Sequence, residues 1–185
     1  MQLILGSKSP RRQQLLAGLD ITFEIDPMDI PEDFPEHLQG ASVAEYLALA
    51  KSKGYTKPLN GKTLLTCDTI VCLEGEVINK PTNLEDAKRM LRKLSGKMHE
   101  VYTGVCLRSE SGENVFSECT KVYFIQLTDA QIDHYVEKYK PLDKAGAYGV
   151  QEWIGYAAVD RIEGCYYNVM GLPLSRIYRE LMGLY

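Results

Sequence analysis

Two serines, a lysine and two arginines gather in residues 3–16, LILGSKSPRRQQLL, where a helix is about to begin. An apolar run stops at a glycine, Ser7 and Ser9 follow, and Ser9 with the next proline predicts a helix N-terminus. Arg11 and Arg12 then fall in the first turn, where each opposes the helix dipole at a cost of about a few tenths of a kcal/mol. A bound polyphosphate would remove this conflict, because free amides, hydroxyls and an arginine fork all hold phosphate oxygens.

Each arginine taken alone is better explained as a solvated surface residue. The combination with two hydroxyls, a lysine and a strand–turn–helix setting favours phosphate binding. The stretch is not a Walker A loop, because GSKS lacks the earlier glycine of that pattern and a proline follows it.

One carboxylate, Asp68, lies inside the apolar stretch TLLTCDTIVCL, which predicts a central strand over residues 63–73. A buried carboxylate is costly unless a partner satisfies it. Two interpretations stay open at this point. Asp68 is either a structural residue bonded to nearby amides or hydroxyls, or a metal ligand or general base in a cleft.

Five further polar residues are candidates for binding or structure. Lys80 precedes a proline and a helix start, which would suit a phosphate contact, although a lone lysine is more often a surface residue. Lys51 lies on the apolar side of its predicted helix, so it either extends to solvent or faces a site. Lys144 lies in the small-residue loop DKAGAYG, and the Gln151 amide can both donate to and accept from a base edge. His99 is interpreted as a capping or core histidine.

The favoured chemistry is therefore attack by water on a phosphate ester or anhydride. Several cations and helix N-termini could bind phosphates, and one or two carboxylates could hold a divalent cation. Neither a Ser-His-Asp set nor a cysteine nucleophile stands out in the sequence.

Strand signals alternate with helix signals along the sequence, which predicts an α/β fold with a mixed sheet. Strands are predicted at residues 3–5, 63–73, 77–78, 100–108 and 120–127, with a turn at 74–76 and a loop over 20–41. Helices are predicted after Ser9, after the capping-box residues Ser42, Thr82 and Thr128, and within 171–183.

The composition is that of a globular protein forming one domain over residues 1–185, with 45% hydrophobic and 25% charged residues. The net charge of -4 argues against nonspecific nucleic-acid binding, and neither a signal peptide nor an apolar run of membrane-spanning length is present. The five cysteines show no C-x-x-C spacing, which favours free thiols in a reducing cytoplasm.

Six blocks, in order and with matching spacing, resemble the Maf family of nucleoside triphosphate pyrophosphatases over essentially the whole chain. They are LGSKSPRRQQLL, LAKSK, TCDTIVCLEGEVINKP, LSGKMHEVYTGV, DKAGAYGVQ and IEGCYYNVMGLPL. The resemblance implies a two-lobed, ITPase-like α/β fold with a mixed sheet and a central cleft, often as a homodimer. It also implies hydrolysis of a nucleoside triphosphate to the monophosphate and pyrophosphate with Mg²⁺ or Mn²⁺.

The resemblance also implies roles for individual residues. Asp68 matches the catalytic aspartate that accepts a proton from water, and Asp68 with Glu32 is expected to hold the metal. The residues that match substrate-binding positions are Ser7, Ser9, Arg11, Arg12, Lys51, Thr69, Lys80 and Gln151. Lys144 is predicted to bind substrate from its place in the small-residue loop.

The stretch KAGAYGVQ resembles the branch acting on dTTP and UTP, where an arginine (here Arg11 or Arg12), Thr69 and Gln151 are linked to substrate choice. The alternatives are a 7-methyl-GTP pyrophosphatase, disfavoured by Gln151, and a regulator of septum formation that binds nucleotide without turnover. The chain departs from the family pattern at Cys67, Ser52, Asn79 and the pair Glu152-Trp153.

Overall fold

A seven-stranded mixed sheet organises the computed structural model, which describes residues 2–183. The strands are β1 (Leu3–Leu5), β2 (Phe23–Ile25), β3 (Thr63–Leu73), β4 (Glu76–Ile78), β5 (Met98–Ser109), β6 (Gly112–Phe124) and β7 (Val159–Glu163). Their order is β2-β1-β3-β5-β6-β7, with β4 paired to β3. The pairs β1–β2 and β1–β3 are parallel and the others antiparallel, so the predicted mixed α/β class is confirmed.

Helices cover both faces of this sheet. They are α1 (Pro10–Ala17), α2 (Ala41–Gly54), α3 (Leu84–Leu94), α4 (Asp129–Tyr139), α5 (Trp153–Ala158), α6 (Tyr166–Val169) and α7 (Leu174–Met182), with a short 3-10 turn at Ala145–Ala147. Helix α2 packs on one face through the cluster that includes Leu47, Ile70 and Cys72. The other long helices bury their apolar sides on the opposite face.

Strand β3 has an open edge at its centre. Its first residues, 63–65, pair with β1, and its last residues, 71–73, pair with β4. Since β5 pairs along the other edge from residue 64 to residue 72, β1 and β4 must share one edge. Among the described residues, no strand pairs with 66–70 on that edge, and this gap opens the cleft.

The same strand separates the two larger apolar clusters. Leu65 and Cys67 belong to the cluster with α1 and α7, whereas Val71 and Leu73 belong to the cluster with α3 and α4. All four side chains point to one face, because successive strand residues alternate between faces. The two clusters account for the predicted two lobes, with the cleft between them.

Gly104 lets helix α2 lie directly on the sheet. It is the β5 partner of Asp68, and a Cβ atom there would lie 2.1 Å from the carbonyl oxygen of Ala44. A side chain at this position would push α2 away from β3. The missing side chain therefore sets the height of Lys51, on the last turns of α2, above Asp68.

Two of the predicted helix starts are confirmed by their caps. Ser9 is the N-cap of α1 and accepts from the Arg12 amide, with proline at the first helical position. Thr128 and Gln131 form a complete capping box at the start of α4.

The predicted capping box at Ser42 and Glu45 is wrong. Helix α2 begins at Ala41 after Gly40, which has a φ of 49° and, within the described residues, no side-chain cap. Ser42 lies inside the helix, and Glu45 instead accepts from the Ser117 hydroxyl at 2.6 Å. A tertiary partner competes successfully for the carboxylate that the local pattern assigned to the cap.

The predicted cap at Thr82 is also wrong, by one residue. Asn83 caps α3 by accepting from the Asp86 amide at 2.9 Å. The amide and hydroxyl of Thr82 both donate to the Asp86 carboxylate, so Thr82 lies just outside the helix.

Several short elements were not predicted. Strand β2 lies inside the expected loop over 20–41, and α5, β7 and α6 occupy residues 153–169, where no element was expected. Strands β5 and β6 form a longer hairpin than predicted, and β6 ends at Phe124 instead of residue 127. All five cysteines are unpaired, as expected, and no helix of the described chain is long and apolar enough to cross a bilayer.

Candidate active site

An open cleft of about 720 Å³ lies at the gap beside β3. The predicted residues that line it are Ser9, Arg11, Arg12, Glu32, Asp68, Thr69, Lys80, Lys144 and Gln151. The two remaining predicted residues lie directly behind this lining, because Ser7 accepts from Arg12 at 3.5 Å and Lys51 donates to Asp68. The structure thus brings the sequence-predicted candidates together at one place.

Asp68 and Thr69 reach the cleft from opposite faces of one strand. Neighbouring strand residues point to opposite sides, so Asp68 faces α2 while Thr69 faces α1 and α6. Both side chains can line one cleft because the edge of β3 is open between them. A fully paired central strand would keep the two groups on separate surfaces.

A chain of alternating charges links the carboxylates of the cleft. The Lys51 ammonium donates to Asp68 and, at 2.9 Å, to one oxygen of Glu32. The other oxygen of Glu32 accepts from Lys80 at 2.6 Å. Asp68 is buried, whereas Glu32 and Lys80 are about half exposed at the mouth.

These contacts shift the ionisation of the chain in the expected directions. Burial opposes ionisation of Glu32, but the hydrogen bond from Lys80 and the charge of Lys51 lower its pKa to about 2. Burial likewise disfavours the Lys51 charge, but the Asp68 carboxylate outweighs burial and raises the pKa of Lys51. Glu32 is therefore a carboxylate and Lys51 an ammonium at neutral pH.

The loop between β1 and α1 supplies hydroxyls and a helix N-terminus. The Ser9 amide donates to the Ser7 hydroxyl at 3.3 Å, which folds the loop tightly around the start of α1. At Gly6 a Cβ atom would lie 2.8 Å from the Met28 side chain and 2.9 Å from Thr66. Close packing at this glycine directs the chain from the strand into the cleft.

Arg12 is held by three acceptors from two distant segments, strand β3 and the turn after α6. Its Nε donates to the Gly171 carbonyl at 2.9 Å, Nη1 to the Cys67 carbonyl at 3.1 Å, and Nη2 to the Thr69 hydroxyl at 2.9 Å. The Cys67 carbonyl belongs to the open edge of β3. Arg12 therefore closes part of that edge and stands beside Thr69 with a fixed orientation.

Arg11 points to a different wall of the cleft. It donates to Asp143 at 2.7 Å, and Asp143 also accepts from Lys144 at 2.7 Å. Burial opposes ionisation of Asp143, but hydrogen bonds from Lys144 and Arg11 lower its pKa to about 2. Lys144 is itself buried and lies 3.2 Å from the Glu152 carboxylate.

The loop carrying Gln151 is tied to helix α4. The buried Tyr135 hydroxyl donates to Glu152 and accepts from the Gly149 amide at 3.0 Å. Between these anchors, the amide oxygen of Gln151 is buried and has no hydrogen-bond partner within residues 2–183. An unsatisfied amide at the wall of a polar cleft is suited to receive a ligand group.

His99 is a core residue, as expected. It is buried, its Nε2 lies 2.7 Å from the Tyr148 hydroxyl, and its ring packs edge-on against Phe124. Burial lowers the pKa of His99 to about 4, so the imidazole is neutral at pH 7.

The two expected metal ligands fit a magnesium-like ion in type and position. Asp68 and Glu32 are carboxylates joined through the Lys51 ammonium, so a cationic group already lies between them. The described residues contain no cluster of three or more His, Cys, Asp or Glu able to hold a metal alone. Mg²⁺ commonly uses one or two carboxylates and completes its shell with water and substrate phosphates.

The residues at or behind the cleft that were not among the predicted site residues include Thr103, Tyr135, Asp143, Glu152 and Gly171. Glu152 carried a sequence signal, because it replaces a glycine usual in the resembling family. Asp143 adjoins Lys144 in the loop DKAGAYG. The other three carried none, since their contacts join segments far apart in the chain.

The arrangement suits recognition of a polyanion next to a group that can take a proton. Cationic side chains surround Asp68, and a lysine holds its carboxylate in place. Within the described cleft, neither a serine–histidine pair nor a thiol lines the surface. The geometry thus favours water as nucleophile, with Asp68 as the general base.

Comparison with known proteins gives one family and a set of close relatives. The family model described as Maf-like protein matches residues 2–184. A protein named dTTP/UTP pyrophosphatase from Porphyromonas gingivalis strain W83 is 50% identical over 184 residues, covering 97% of this chain and 92% of the relative. Proteins of the same name from Phocaeicola vulgatus and Flavobacterium johnsoniae are 47% and 43% identical, each covering 99% of this chain and 96% and 95% of the relative.

Among solved structures, the Ham1 protein of Staphylococcus aureus gives a TM-score of 0.47 at 15% identity, covering 67% of this chain and 72% of that chain. A likeness this weak carries no functional inference.

Proposed function

The chain belongs to the family of Maf-like proteins, and we propose that it hydrolyses dTTP and UTP to the nucleoside monophosphate and pyrophosphate. The relatives that match nearly its full length carry that activity in their names. The observation that carries the proposal is the buried Asp68 carboxylate at the open edge of β3, surrounded by cationic side chains.

The triphosphate would lie on the side of the cleft formed by the loop between β1 and α1 and by three cationic side chains. The Ser7–Ser9 loop offers amides and hydroxyls at a helix N-terminus, and Arg11, Lys80 and Lys144 supply positive charge. The carboxylates now paired with these cations are Asp143, Glu32 and Glu152. Phosphate oxygens would compete with these carboxylates for the same cations.

Asp68 acts as general base in the hydrolysis. A water molecule attacks the α-phosphorus and transfers a proton to Asp68, while the bond to the bridging oxygen breaks and pyrophosphate leaves. Lys51 holds the Asp68 carboxylate through its hydrogen bond and fixes its direction at the cleft. The residues that line the described cleft include neither a serine–histidine pair nor a thiol, which supports a single displacement by water.

A divalent metal, Mg²⁺ or Mn²⁺, is expected at Asp68 and Glu32. Bound there, it would neutralise developing negative charge on the triphosphate. The half-exposed Glu32 side chain lies at the cleft mouth. It is ionised at neutral pH and is available as an oxygen ligand.

The base is expected on the side of the cleft formed by Arg12, Thr69 and Gln151. Arg12 is the arginine of the pair that contacts Thr69, whereas Arg11 contacts Asp143, which supports Arg12 as the base-side arginine. Thymine and uracil each offer one N–H between two carbonyls. The Gln151 amide can match such an edge because it both donates and accepts.

The experiment is a panel of nucleotides with the purified full chain. We expect pyrophosphate release from dTTP and UTP to exceed that from ATP, GTP and 7-methyl-GTP, and to stop when EDTA removes the metal. Hydrolysis in ¹⁸O-water should place the label in the monophosphate. Label in pyrophosphate, release of single phosphate, or nucleotide binding without turnover would each overturn the proposal.

The same proposal includes a single domain over residues 1–185, a homodimer and a cytoplasmic location. The family model spanning residues 2–184 supports the single domain, and five unpaired cysteines suit a reducing compartment. Light scattering coupled to gel filtration tests the homodimer directly, with a monomeric mass as the contrary result.

A further inference from the structure

A line of hydrogen bonds runs from the wall of the cleft into the protein interior. The Arg12 guanidinium donates to the Thr69 hydroxyl at 2.9 Å, and Thr69 lies 2.9 Å from the Thr103 hydroxyl. Thr103 in turn donates to the backbone carbonyl of Asn168 at 3.1 Å. Arg12 and Thr69 line the cleft, whereas Thr103 and Asn168 are fully buried behind it.

The proton of the Thr103 hydroxyl has one possible destination. A backbone carbonyl has no proton, so in its contact with Asn168 the Thr103 hydroxyl must be the donor. The same carbonyl also accepts from the Gly171 amide at 2.9 Å, so both of its lone pairs are used. Reversing Thr103 would place two oxygen lone pairs against each other inside the core.

The donor role of Thr103 toward Asn168 determines whether Thr69 donates or accepts in its contact with Thr103. Because the Thr103 proton is committed to Asn168, the short contact between the two hydroxyls requires Thr69 to donate. Arginine has no acceptor, so Thr69 also accepts from Arg12. A threonine hydroxyl has one proton and two lone pairs, which leaves Thr69 with one lone pair and no proton for a ligand.

Arg12 supplies the complementary group beside this lone pair. Its Nε and Nη1 donate to the carbonyls of Gly171 and Cys67, and Nη2 uses one N–H on Thr69. The second N–H of Nη2 stays next to the Thr69 oxygen. This side of the cleft therefore offers an acceptor and a donor side by side.

We infer that Thr103 is a positioning residue that fixes Thr69 as a hydrogen-bond acceptor, and that this polarity selects bases carrying a ring N–H. The inference rests on the proposed function and deepens it. Uracil and thymine place an N–H beside a carbonyl, which matches the acceptor–donor pair of Thr69 and Arg12 and leaves the second carbonyl to accept from the Gln151 amide. Cytosine places a lone pair at the same ring nitrogen, which faces the Thr69 lone pair and is repelled.

The test compares UTP with CTP in variants at Thr103. Thr103→Val keeps the shape but removes the hydroxyl, so the Thr69 proton is released and can turn toward the base. The ratio of kcat/KM for UTP to that for CTP should fall about tenfold, the effect of one misdirected hydrogen bond. Most of the change should come from faster CTP hydrolysis, which a merely structural defect would not produce.

Two matched variants separate this effect from a general loss of packing. Thr103→Ser keeps the hydroxyl and should keep the wild-type ratio. Thr66→Val removes a different buried hydroxyl, which lies on β3. That hydroxyl donates to the Ala48 carbonyl and takes no part in the hydrogen bonds that lead to Arg12. It should also leave the ratio unchanged, whatever it does to thermal stability.

The outcomes are distinguishable from those of the proposed function. A wild-type protein that hydrolyses neither nucleotide overturns the proposed function itself. A folded Thr103→Val protein that keeps the ratio, or loses both activities equally, overturns only the role of Thr103. If the valine variant does not fold, Thr103→Cys, whose thiol is a weak acceptor, should lower the ratio in the same direction.

Discussion

The Lys51 ammonium donates a hydrogen bond to the Asp68 carboxylate across the gap between helix α2 and the open edge of β3. The same ammonium contacts Glu32 at 2.9 Å, so one cation holds two carboxylates that come from different parts of the chain. This pair places a proton acceptor at a fixed point of the cleft without a histidine.

Asp68→Asn should abolish turnover and leave the fold intact. Asparagine keeps an oxygen that can accept from Lys51, but its amide cannot take a proton and is a poor metal ligand. Measurement of kcat together with the thermal unfolding midpoint checks this expectation. A folded variant with near-normal kcat would assign Asp68 a purely structural role.

Arg12→Ala and Lys80→Ala should both lower kcat/KM, by about 10- to 150-fold, the effect of losing one charge-assisted hydrogen bond. Only Arg12→Ala should also lower the free energy of unfolding, by about 1–3 kcal/mol, because the Gly171 and Cys67 carbonyls lose their donor. Lys80 is half exposed and pairs with Glu32 at the cleft mouth. Urea denaturation of both variants separates the two effects, and equal stability losses would contradict this assignment.

Gln151→Ala should flatten the preference for dTTP and UTP over purine nucleotides, because a hydrogen-bonding site discriminates more strongly than shape alone. Gln151→Glu should reduce pyrimidine use further, since a carboxylate cannot donate to a base carbonyl. The values of kcat/KM over the nucleotide panel provide the measurement. Retention of the full preference by the alanine variant would show that Gln151 does not contact the base.

Tyr135→Phe should raise KM more than it lowers kcat. The Tyr135 hydroxyl joins the Gly149 amide to Glu152, so its loss loosens the loop that carries Gln151 while Asp68 and Lys51 stay in place. The unfolding free energy should fall by about 1–2 kcal/mol because the buried Gly149 amide loses its acceptor. Tyr139→Phe, a tyrosine that stacks on Tyr135 from the same helix, is the matched control. An unchanged KM in Tyr135→Phe would exclude the loop from substrate binding.

Stability should decrease as the pH falls from about 6.5 to about 4, because burial lowers the pKa of His99 to about 4 from its ordinary value of 6.5. In this range the unfolded chain binds a proton at His99 that the folded chain does not bind. The unfolding free energy therefore falls with decreasing pH, by about 3 kcal/mol in total.

Urea denaturation at several pH values measures this slope. His99→Gln, which can still bond to Tyr148, should show a shallower slope between pH 6.5 and 4. The carboxylates Glu32 and Asp143, with pKa values lowered to about 2, lose their stabilising contribution only at lower pH, below about 4.5. An identical slope in the variant would contradict the buried neutral histidine.

The sequence predicted the parts of the site that carry local signals. The β1–α1 loop was recognisable because serine, proline and arginine occupy defined positions of a helix start, and the structure confirms Ser9 as the cap. Asp68 was recognisable because a carboxylate is rare in the middle of an apolar strand. Such signals lie within a few residues and need no knowledge of the sheet order.

The elements and residues that escaped prediction depend on tertiary contacts. Strand β2 has three residues, none of them buried, and it exists because β1 offers a parallel edge. Strand β7 is a mostly exposed edge strand that, within residues 2–183, pairs with β6 alone. In the sequence, Thr103 looks like an ordinary strand residue. Its role depends on Thr69 from β3 and the Asn168 carbonyl from α6, which contact it only in the folded protein.

The hydrogen bond from Arg12 to the Gly171 carbonyl spans 159 residues and so sets an order of events during synthesis. The first segment of the cleft leaves the ribosome long before the last one exists. Until residue 171 has emerged, the Nε of Arg12 lacks its acceptor, and Thr103 lacks the Asn168 carbonyl that orients it. A nascent chain can therefore form β1, α1 and much of the sheet. Its nucleotide site is complete only after α6 and the following turn have been synthesised.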